Sequence, residues 1–325
     1  MLIARCCQRV FPVVAGIPDL RCAIASWIDP AEDRRRAEAL EAEVDPEDVE
    51  GSIRYVFRHR ENWTDQMVEH RTRGILSSVA RLRNEFSGWL AAAVTTSGPI
   101  LDLGCGPGMA FAAIGSSRKA LGLDVSLEWL VVAQRMARDA GADVEFAAGL
   151  AEALPLPDEC LGAVIARDVL EHVGDQSGTM REVAHTLRPG GILAATTPNR
   201  FSVAAEPHVG IWGVGWLPRA WQSGYVHWRS ALPYTYSRLL SARELRRLIH
   251  DSGLEGTVVP ASIPEAEIEY FSGRRKRLAR IYNHLLGNKP FRILATWLGA
   301  FFQVIAIKRR VAEVPALITP ALPQD

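Results

Sequence analysis

Cysteine is scarce in this chain and odd in number: five among 325 residues, with only Cys6 and Cys7 close together. A disulfide scaffold is therefore excluded, and a reducing, cytoplasmic setting fits better. An excess of one charge is absent too, with 37 Lys and Arg against 37 Asp and Glu. That balance removes the global electrostatic case for nucleic acid or an anionic membrane as the main partner. Long hydrophobic runs are also missing. The longest uncharged apolar stretch, residues 293–307, contains Gln303 and falls short of the ~20 residues that cross a bilayer. It reads as a buried helix end joined to a buried strand. A peripheral surface that touches a membrane is the alternative, because Arg292 and Lys308-Arg309-Arg310 flank it. The first residues, Met1-Leu2-Ile3-Ala4-Arg5-Cys6-Cys7, lack the apolar core of a signal peptide. No internal repeat is visible.

What remains is an ordinary globular composition, 48% hydrophobic and 23% charged. From residue 99 to residue 197 strand-like runs alternate with helical patterns. Strands are expected at 99–103, 120–124, 144–148, 163–166 and 191–196, and helices at 109–116, 127–140 and 176–187. Ser126 suits the N-cap of the second helix and Gly141 its end. Strands joined by crossover helices build a doubly wound, mostly parallel sheet in an α/β fold. Residues 1–96 form an N-terminal extension, with an acidic helical segment at 30–50 and one or two helices from 51. The main domain spans 97–310, interrupted at 200–236 by an insert rich in Trp and Tyr. Ser241-Ala242-Arg243-Glu244 reads as a capping box opening a helix. Late strands are expected at 256–260 and 301–307. The run Arg274-Arg275-Lys276-Arg277 fits a solvated helix face, and the tail at 311–325 reads as irregular.

The chemistry concentrates at Ile100-Leu101-Asp102-Leu103-Gly104-Cys105-Gly106-Pro107-Gly108. A glycine-rich turn between strand and helix lets a ligand approach the backbone. Twenty-two residues past Asp102, at the end of the next strand, Asp124 is placed to accept the ribose hydroxyls of an adenosine. Asp102 itself separates the cofactors: a carboxylate beside the turn repels a pyrophosphate and suits an ammonium group. An adenosine carrying an amino acid is expected, not a dinucleotide.

Three further stretches sharpen this: Gly149-Leu150-Ala151-Glu152-Ala153-Leu154-Pro155-Leu156-Pro157-Asp158, Asp168-Val169-Leu170-Glu171-His172-Val173, and Leu187-Arg188-Pro189-Gly190-Gly191-Ile192-Leu193. With the glycine turn, in this order, they resemble the class I S-adenosylmethionine-dependent methyltransferases of the type 11 small-molecule group. The resemblance covers roughly residues 95–200. It implies a Rossmann-like, seven-stranded sheet with S-adenosyl-L-methionine as cofactor. By that resemblance Asp102, Gly104, Cys105, Gly106 and Gly108 would line the methionine end, with Arg167 close by. Asp124 would hold the ribose, Val125 would pack on the adenine, and the backbone at Leu150 and Ala151 would meet the adenine edge. The chain departs from the family's pattern at Leu150, where an Asp that bonds the adenine amino group is usual, and at Leu161-Gly162, where Phe-Asp is common.

Residues 7–20 resemble the second half of a zinc-ribbon-like segment that precedes many such enzymes. Ala4 stands at the first cysteine position, and the adjacent Cys6 and Cys7 cannot easily share one tetrahedral metal, so no metal is expected. The insert leaves the sheet at the edge where ligands bind in such folds. Trp212, Trp216, Tyr225 and Trp228 are expected to form a substrate lid. His172 and His227 are the candidate bases, with His208 a further histidine of the insert. The reaction expected is methyl transfer, to oxygen by preference, on a small-molecule or lipid-linked acceptor. A catalytically silent cofactor-binding partner and a membrane-associated enzyme on a lipid acceptor are the alternatives.

Overall fold

The computed structural model describes residues 2–3, 10–22, 28–59, 63–88, 90–115, 118–231, 233–235, 237–269 and 271–309. Cys6, Cys7 and the tail at 311–325 lie outside the described residues.

Seven strands form one sheet: β1 Ile100–Leu103, β2 Ala120–Asp124, β3 Val144–Ala148, β4 Leu161–Arg167, β5 Leu187–Pro198, β6 Leu254–Pro260 and β7 Phe301–Lys308. Their spatial order is β6-β7-β5-β4-β1-β2-β3. Neighbours from β3 through β5 are parallel, while β7 runs antiparallel to both β5 and β6. The Rossmann-like, doubly wound class expected from the sequence is the class observed. All four residues of β1 and the first six of β4 are buried, as befits central strands covered on both faces. The chain winds one way from β1 to β3 and the other way through β4 and β5, so a crevice opens where β1 meets β4.

Helices cover both faces: α1 Pro30–Glu43, α2 Val49–Arg58, α3 Asp65–Ser87, α4 Ala91–Thr95, α5 Met109–Ile114, α6 Leu127–Asp139, α7 Gln176–Thr186, α8 Arg219–Ser230, α9 Ala242–Asp251, α10 Glu265–Ile268, α11 Gly273–Leu285 and α12 Lys289–Leu298. Ser126 accepts the Trp129 N–H at 3.4 Å at the start of α6. Ser241 and Glu244 form both halves of a capping box at the start of α9. The fifth strand begins at Leu187 rather than at 191. The residue before a proline avoids helical geometry, so the chain is already extended ahead of Pro189, and Leu187 pairs with Leu161 before the register shifts.

The N-terminal extension shares a hydrophobic core with the sheet's helices. Val14, Ile17, Leu40, Ile53 and Val56 pack with Leu127, Val131 and Met136 of α6. Two buried arginines fasten it. Arg135 of α6 donates to Ser52 Oγ at 2.9 Å and to Glu41 at 2.9 Å. Arg21 donates to Asp19 and, at 2.7 Å, to Asp33 of α1. Asp33 reaches across to the first turn of α6, accepting the Leu127 N–H at 2.9 Å and the Ser126 hydroxyl at 3.1 Å. It thus caps in space a helix 94 residues further along the chain. Leu20 N–H also bonds Ala148 O at 2.8 Å, which lays the N-terminal segment along β3.

The expectation for residues 293–307 holds for the strand and fails for the helix. Phe302, Val304 and Ala306 of β7 are buried, but Ile293, Leu294 and Trp297 of α12 are about half exposed. Only Ala295 and Thr296 of α12 are buried.

Replacing Asp33 by Ala removes the α6 cap and leaves the buried Arg21 with Asp19 as its one acidic partner among the described residues. Breaking a buried pair from one side costs about 3–5 kcal/mol. Urea unfolding of Asp33→Ala is therefore expected to show a loss of that order; a loss below about 1 kcal/mol would mean that the network contributes nothing beyond a surface pair.

Candidate active site

Three strand ends build the site. Asp102 sits on β1, Asp124 closes β2 and Arg167 closes β4. Strand register sets Asp102 between Gly122 and Ile165. After β1 the chain turns sharply: Gly104, Gly106 and Gly108 all have positive φ, at 68°, 49° and 80°. Gly104 and Cys105 donate to Leu123 O at 2.7 and 3.1 Å. The three glycines serve different ends. A Cβ on Gly104 would lie 2.5 Å from Val169 Cγ2, and one on Gly108 would lie 2.8 Å from Ala133 Cβ. Those two are demanded by packing. A Cβ on Gly106 would meet nothing within 4 Å, so there the backbone lies open to a ligand.

Asp124 is the clasp of this turn. Its Oδ2 accepts the Gly106 N–H at 2.8 Å and its Oδ1 accepts the Ser126 N–H at 2.9 Å. Its backbone oxygen takes the Gly149 N–H at 2.9 Å, which brings Leu150 and Ala151 to the same edge. Val125 O accepts from Arg21 at 2.9 Å, so the buried N-terminal network stands directly behind the site.

Two carboxylates stand here, Asp102 buried and Asp124 half-buried. Burial pushes the Asp102 pKa up to about 7, with Arg167 opposing the shift and Asp124 adding to it. Burial also raises Asp124, although the N–H bonds from Ser126 and Gly106 pull it down. The Cys105 thiol is pushed well up by burial and by both acids, which makes it an inert part of the wall. A buried acid and a half-buried one beside an open backbone suit a ligand that carries a cation and hydroxyl groups. Arg167 lies 3.7 Å from Glu85 of α3, a charge that the sequence pattern gave no reason to place here.

A second group of titratable side chains lies past the ends of β4 and β5. Glu171, His172 and His208 bring their ligand atoms within 4.8 Å of one another, and the His172 and His208 rings meet edge to face at 4.6 Å. Such spacing can share a cation or a proton. Glu171 is pushed up to about 8 by burial, helped by Asp168, and accepts the Thr197 hydroxyl at 3.0 Å. His208 Nδ1 donates to the buried Glu206 at 2.5 Å. Burial by itself would lower the His208 pKa, but the Glu206 bond and the charges of Glu206, Glu171 and Asp168 raise it above the ordinary imidazole range. Glu206 is further fixed by the N–H groups of His208 and Val209, each at 2.9 Å.

The insert departs from expectation in two respects. His227 stands on the exposed side of α8, one residue past the buried Val226. A step of one residue turns a helix by about 100°, so His227 does not follow Val226 into the insert's small core, and His208 is the histidine of the insert that meets His172. The tryptophans expected as a lid do not close over a pocket: Trp212, Trp216 and Trp228 are 64%, 48% and 75% exposed. Their polar edges are used locally, Trp212 and Trp216 donating to Val203 O and Ser202 O at 3.1 and 3.0 Å, while the Tyr225 hydroxyl donates to Trp212 O at 3.0 Å. Trp216 borders a cavity of about 50 Å³ beside Arg200, Glu206 and Phe301, which has room for little more than water.

Two substitutions separate the roles of the glycines. Gly106→Ala is expected to fold with a loss of about 1 kcal/mol, yet to lose cofactor binding by titration calorimetry. Gly108→Ala is expected to destabilise the fold itself; the reverse pattern would show that Gly106 does not face the ligand. The acids predict a pH dependence. Protonated Asp102 cannot pair with a cation, so cofactor affinity should fall about tenfold per unit once the pH drops below about 7. Asp102→Asn should flatten that profile, and a flat wild-type profile would remove Asp102 from the contact. Without ligand the sign is opposite. The unfolded chain releases this proton first, so stability falls as pH rises from about 4 to about 7.

Residues 101–195 match the family described as methyltransferase domain. Among curated proteins, a ubiquinone biosynthesis O-methyltransferase from Sinorhizobium fredii is 32% identical over 167 residues, 49% of this chain and 60% of that protein. One from Methylocella silvestris is 33% identical over 157 residues, 46% and 54% of the two chains. The match thus spans little more than half the length of these relatives. A solved structure from Thermotoga maritima, described as a methyltransferase and possible histamine N-methyltransferase, is 19% identical at a TM-score of 0.46, covering 75% of this chain and 97% of that one.

Proposed function

We propose that the methyltransferase domain of residues 101–195 makes this chain an O-methyltransferase acting on a hydroxyl of a small or lipid-linked acceptor. The cofactor of that domain is S-adenosylmethionine. The residues present fit it: Asp102 offers a buried carboxylate to an ammonium group, Asp124 offers one to ribose hydroxyls, and Gly106 leaves the approach open. When bound, the cofactor supplies an electrophilic methyl group on a sulfonium. Leu150 supplies no carboxylate to the adenine amino group, at a cost of about 1 kcal/mol for the missing bond, so affinity is reduced without being lost.

The observation that carries the reading of the acceptor is the Glu206–His208 pair beside His172 and Glu171. A hydroxyl is a weak nucleophile and must give up its proton as the methyl arrives. His208 is the group to receive it. Its Nδ1–H is committed to Glu206, which fixes the tautomer and leaves Nε2 to accept, and the Glu206 carboxylate stabilises the imidazolium that forms. A neutral amine, already a good nucleophile, would have less need of such a pair. The named function of the curated relatives, O-methylation, supports oxygen as well.

Transfer of labelled methyl groups from S-adenosylmethionine to metabolite and lipid extracts tests the reading. His208→Ala should lower kcat about 10²–10⁴-fold with cofactor affinity unchanged within about twofold, and Glu206→Gln should lower it less. Cofactor binding without transfer to any acceptor would replace the enzyme by a silent cofactor-binding protein.

A further inference from the structure

Between Phe271 and Arg309 the sequence holds nine lysines and arginines and no aspartate or glutamate. Some of these cations are paired at the base of the region: Lys276 with Glu269, and Arg280 with Glu265 and Glu269, all contributed from α10 or its end. Five others, Arg274, Arg275, Arg277, Lys289 and Arg292, are exposed and make no ion pair among the described residues. They flank an apolar face that points outward. Leu278, Ile281 and Leu285 recur at helical spacing on α11 and are 56%, 44% and 37% exposed. Ile293, Leu294 and Trp297 form the matching face of α12 at 55%, 52% and 51%. A helix packed on a protein core presents the opposite arrangement.

This orientation is built in. The opposite side of each helix is anchored: Ala279 and Ala295 are buried, the Tyr282 hydroxyl donates to Ala261 O at 3.1 Å, and Asn283 Nδ2 donates to Ile263 O at 2.7 Å. Tyr282 also packs edge to face on Phe291 across the turn, at 5.9 Å. The face continues into the insert, because the Val203 N–H bonds Leu298 O at 3.1 Å and the indoles of Trp212 and Trp216 are fixed to Val203 and Ser202. The indoles of Trp212 and Trp216 are thereby tied to residues 202–203, beside the C-terminal end of α12.

We infer that α11 and α12 seat the protein on an anionic lipid bilayer, lying in the interface with Ile293, Leu294 and Trp297 among the acyl chains and the arginines at the phosphates. Charge selects the occupant. Two copies of the chain would oppose five unpaired cations with five more, whereas an anionic headgroup layer neutralises them and an acyl layer takes up the leucines, isoleucines and tryptophan. No helix among the described residues is long and apolar enough to cross a membrane, so the contact is peripheral. It deepens the methyl-transfer reading by setting the acceptor side of the site at the bilayer, and its test does not depend on catalysis.

Flotation of the full chain with phosphatidylcholine vesicles, with and without phosphatidylglycerol, tests the inference. Binding is expected only to the anionic vesicles and should weaken as salt is raised. Ile293→Ser/Leu294→Ser/Trp297→Ser and, separately, Arg274→Glu/Arg275→Glu/Arg277→Glu should each reduce the vesicle-bound fraction more than about tenfold. All the altered side chains are exposed, and unchanged affinity for S-adenosylmethionine verifies that the variants fold. Failure of the wild type to float with anionic vesicles overturns the inference, as do variants that float equally well. It is also overturned if light scattering finds a dimer that the Ser variant dissolves, which would make a second copy the occupant. Flotation without any cofactor binding would sink the methyl-transfer reading and leave the membrane contact standing.

Discussion

One carboxylate holds the site together. Asp124, at the end of β2, takes the N–H of Gly106 from one turn and the N–H of Ser126 from the next. It thereby fixes the glycine loop, the start of α6 and, through Gly149, the end of β3 around a single point. Each element alone leaves donors unsatisfied where the strands end. Together they satisfy one another and leave the Gly106 backbone facing open space. The arrangement is rigid because it is backed by buried ion pairs: Arg21 and Asp33 close on the same stretch of chain from behind.

That backing gives the N-terminal extension a part in the site. Asp33 belongs to α1 yet caps α6, and Arg21 spans Asp33, Asp19 and the carbonyl of Val125. Burial opposes charge on both Arg21 and Asp19, but their mutual bonds prevail, raising the arginine and lowering the acid. The ribose-binding end of the proposed site is therefore as firm as the packing of the first helices on α6. At the other end, Glu85 of α3 approaches Arg167, so the extension meets that end of the proposed site as well.

The insert solves a different problem. It has few buried side chains, with Ile211, Val214, Val226 and Tyr234 forming a small core of its own. Trp212 and Trp216 spend their N–H groups on nearby carbonyls and leave their rings largely to solvent. Its contribution to the proposed acceptor side is the buried Glu206 and the histidine that it orients. A face of aromatic and aliphatic side chains exposed to water is costly, and the proposed anionic bilayer would cover that face while pairing the cations beside it.

Much of this was legible in the sequence. Strand and helix alternation, the glycine turn, the position of Asp124 past the second strand, the Ser126 cap and the Ser241–Glu244 capping box are local, and local patterns fix them because backbone geometry restricts which residues fit. Tertiary structure alone decided the rest. Asp33 reads as one more acid in a charged helix until folding brings it to a helix end 94 residues away. His208 and His227 look alike in sequence; the buried Val226 on α8 turns one outward, and Glu206 draws the other to His172. Residues 293–307 are uncharged and mostly apolar throughout, and only the antiparallel pairing of β7 shows that half of the run is core while the other half faces out. Composition determines which groups can be buried, but which are buried is set by long-range packing, where the free energy of each contact depends on partners that no local pattern names.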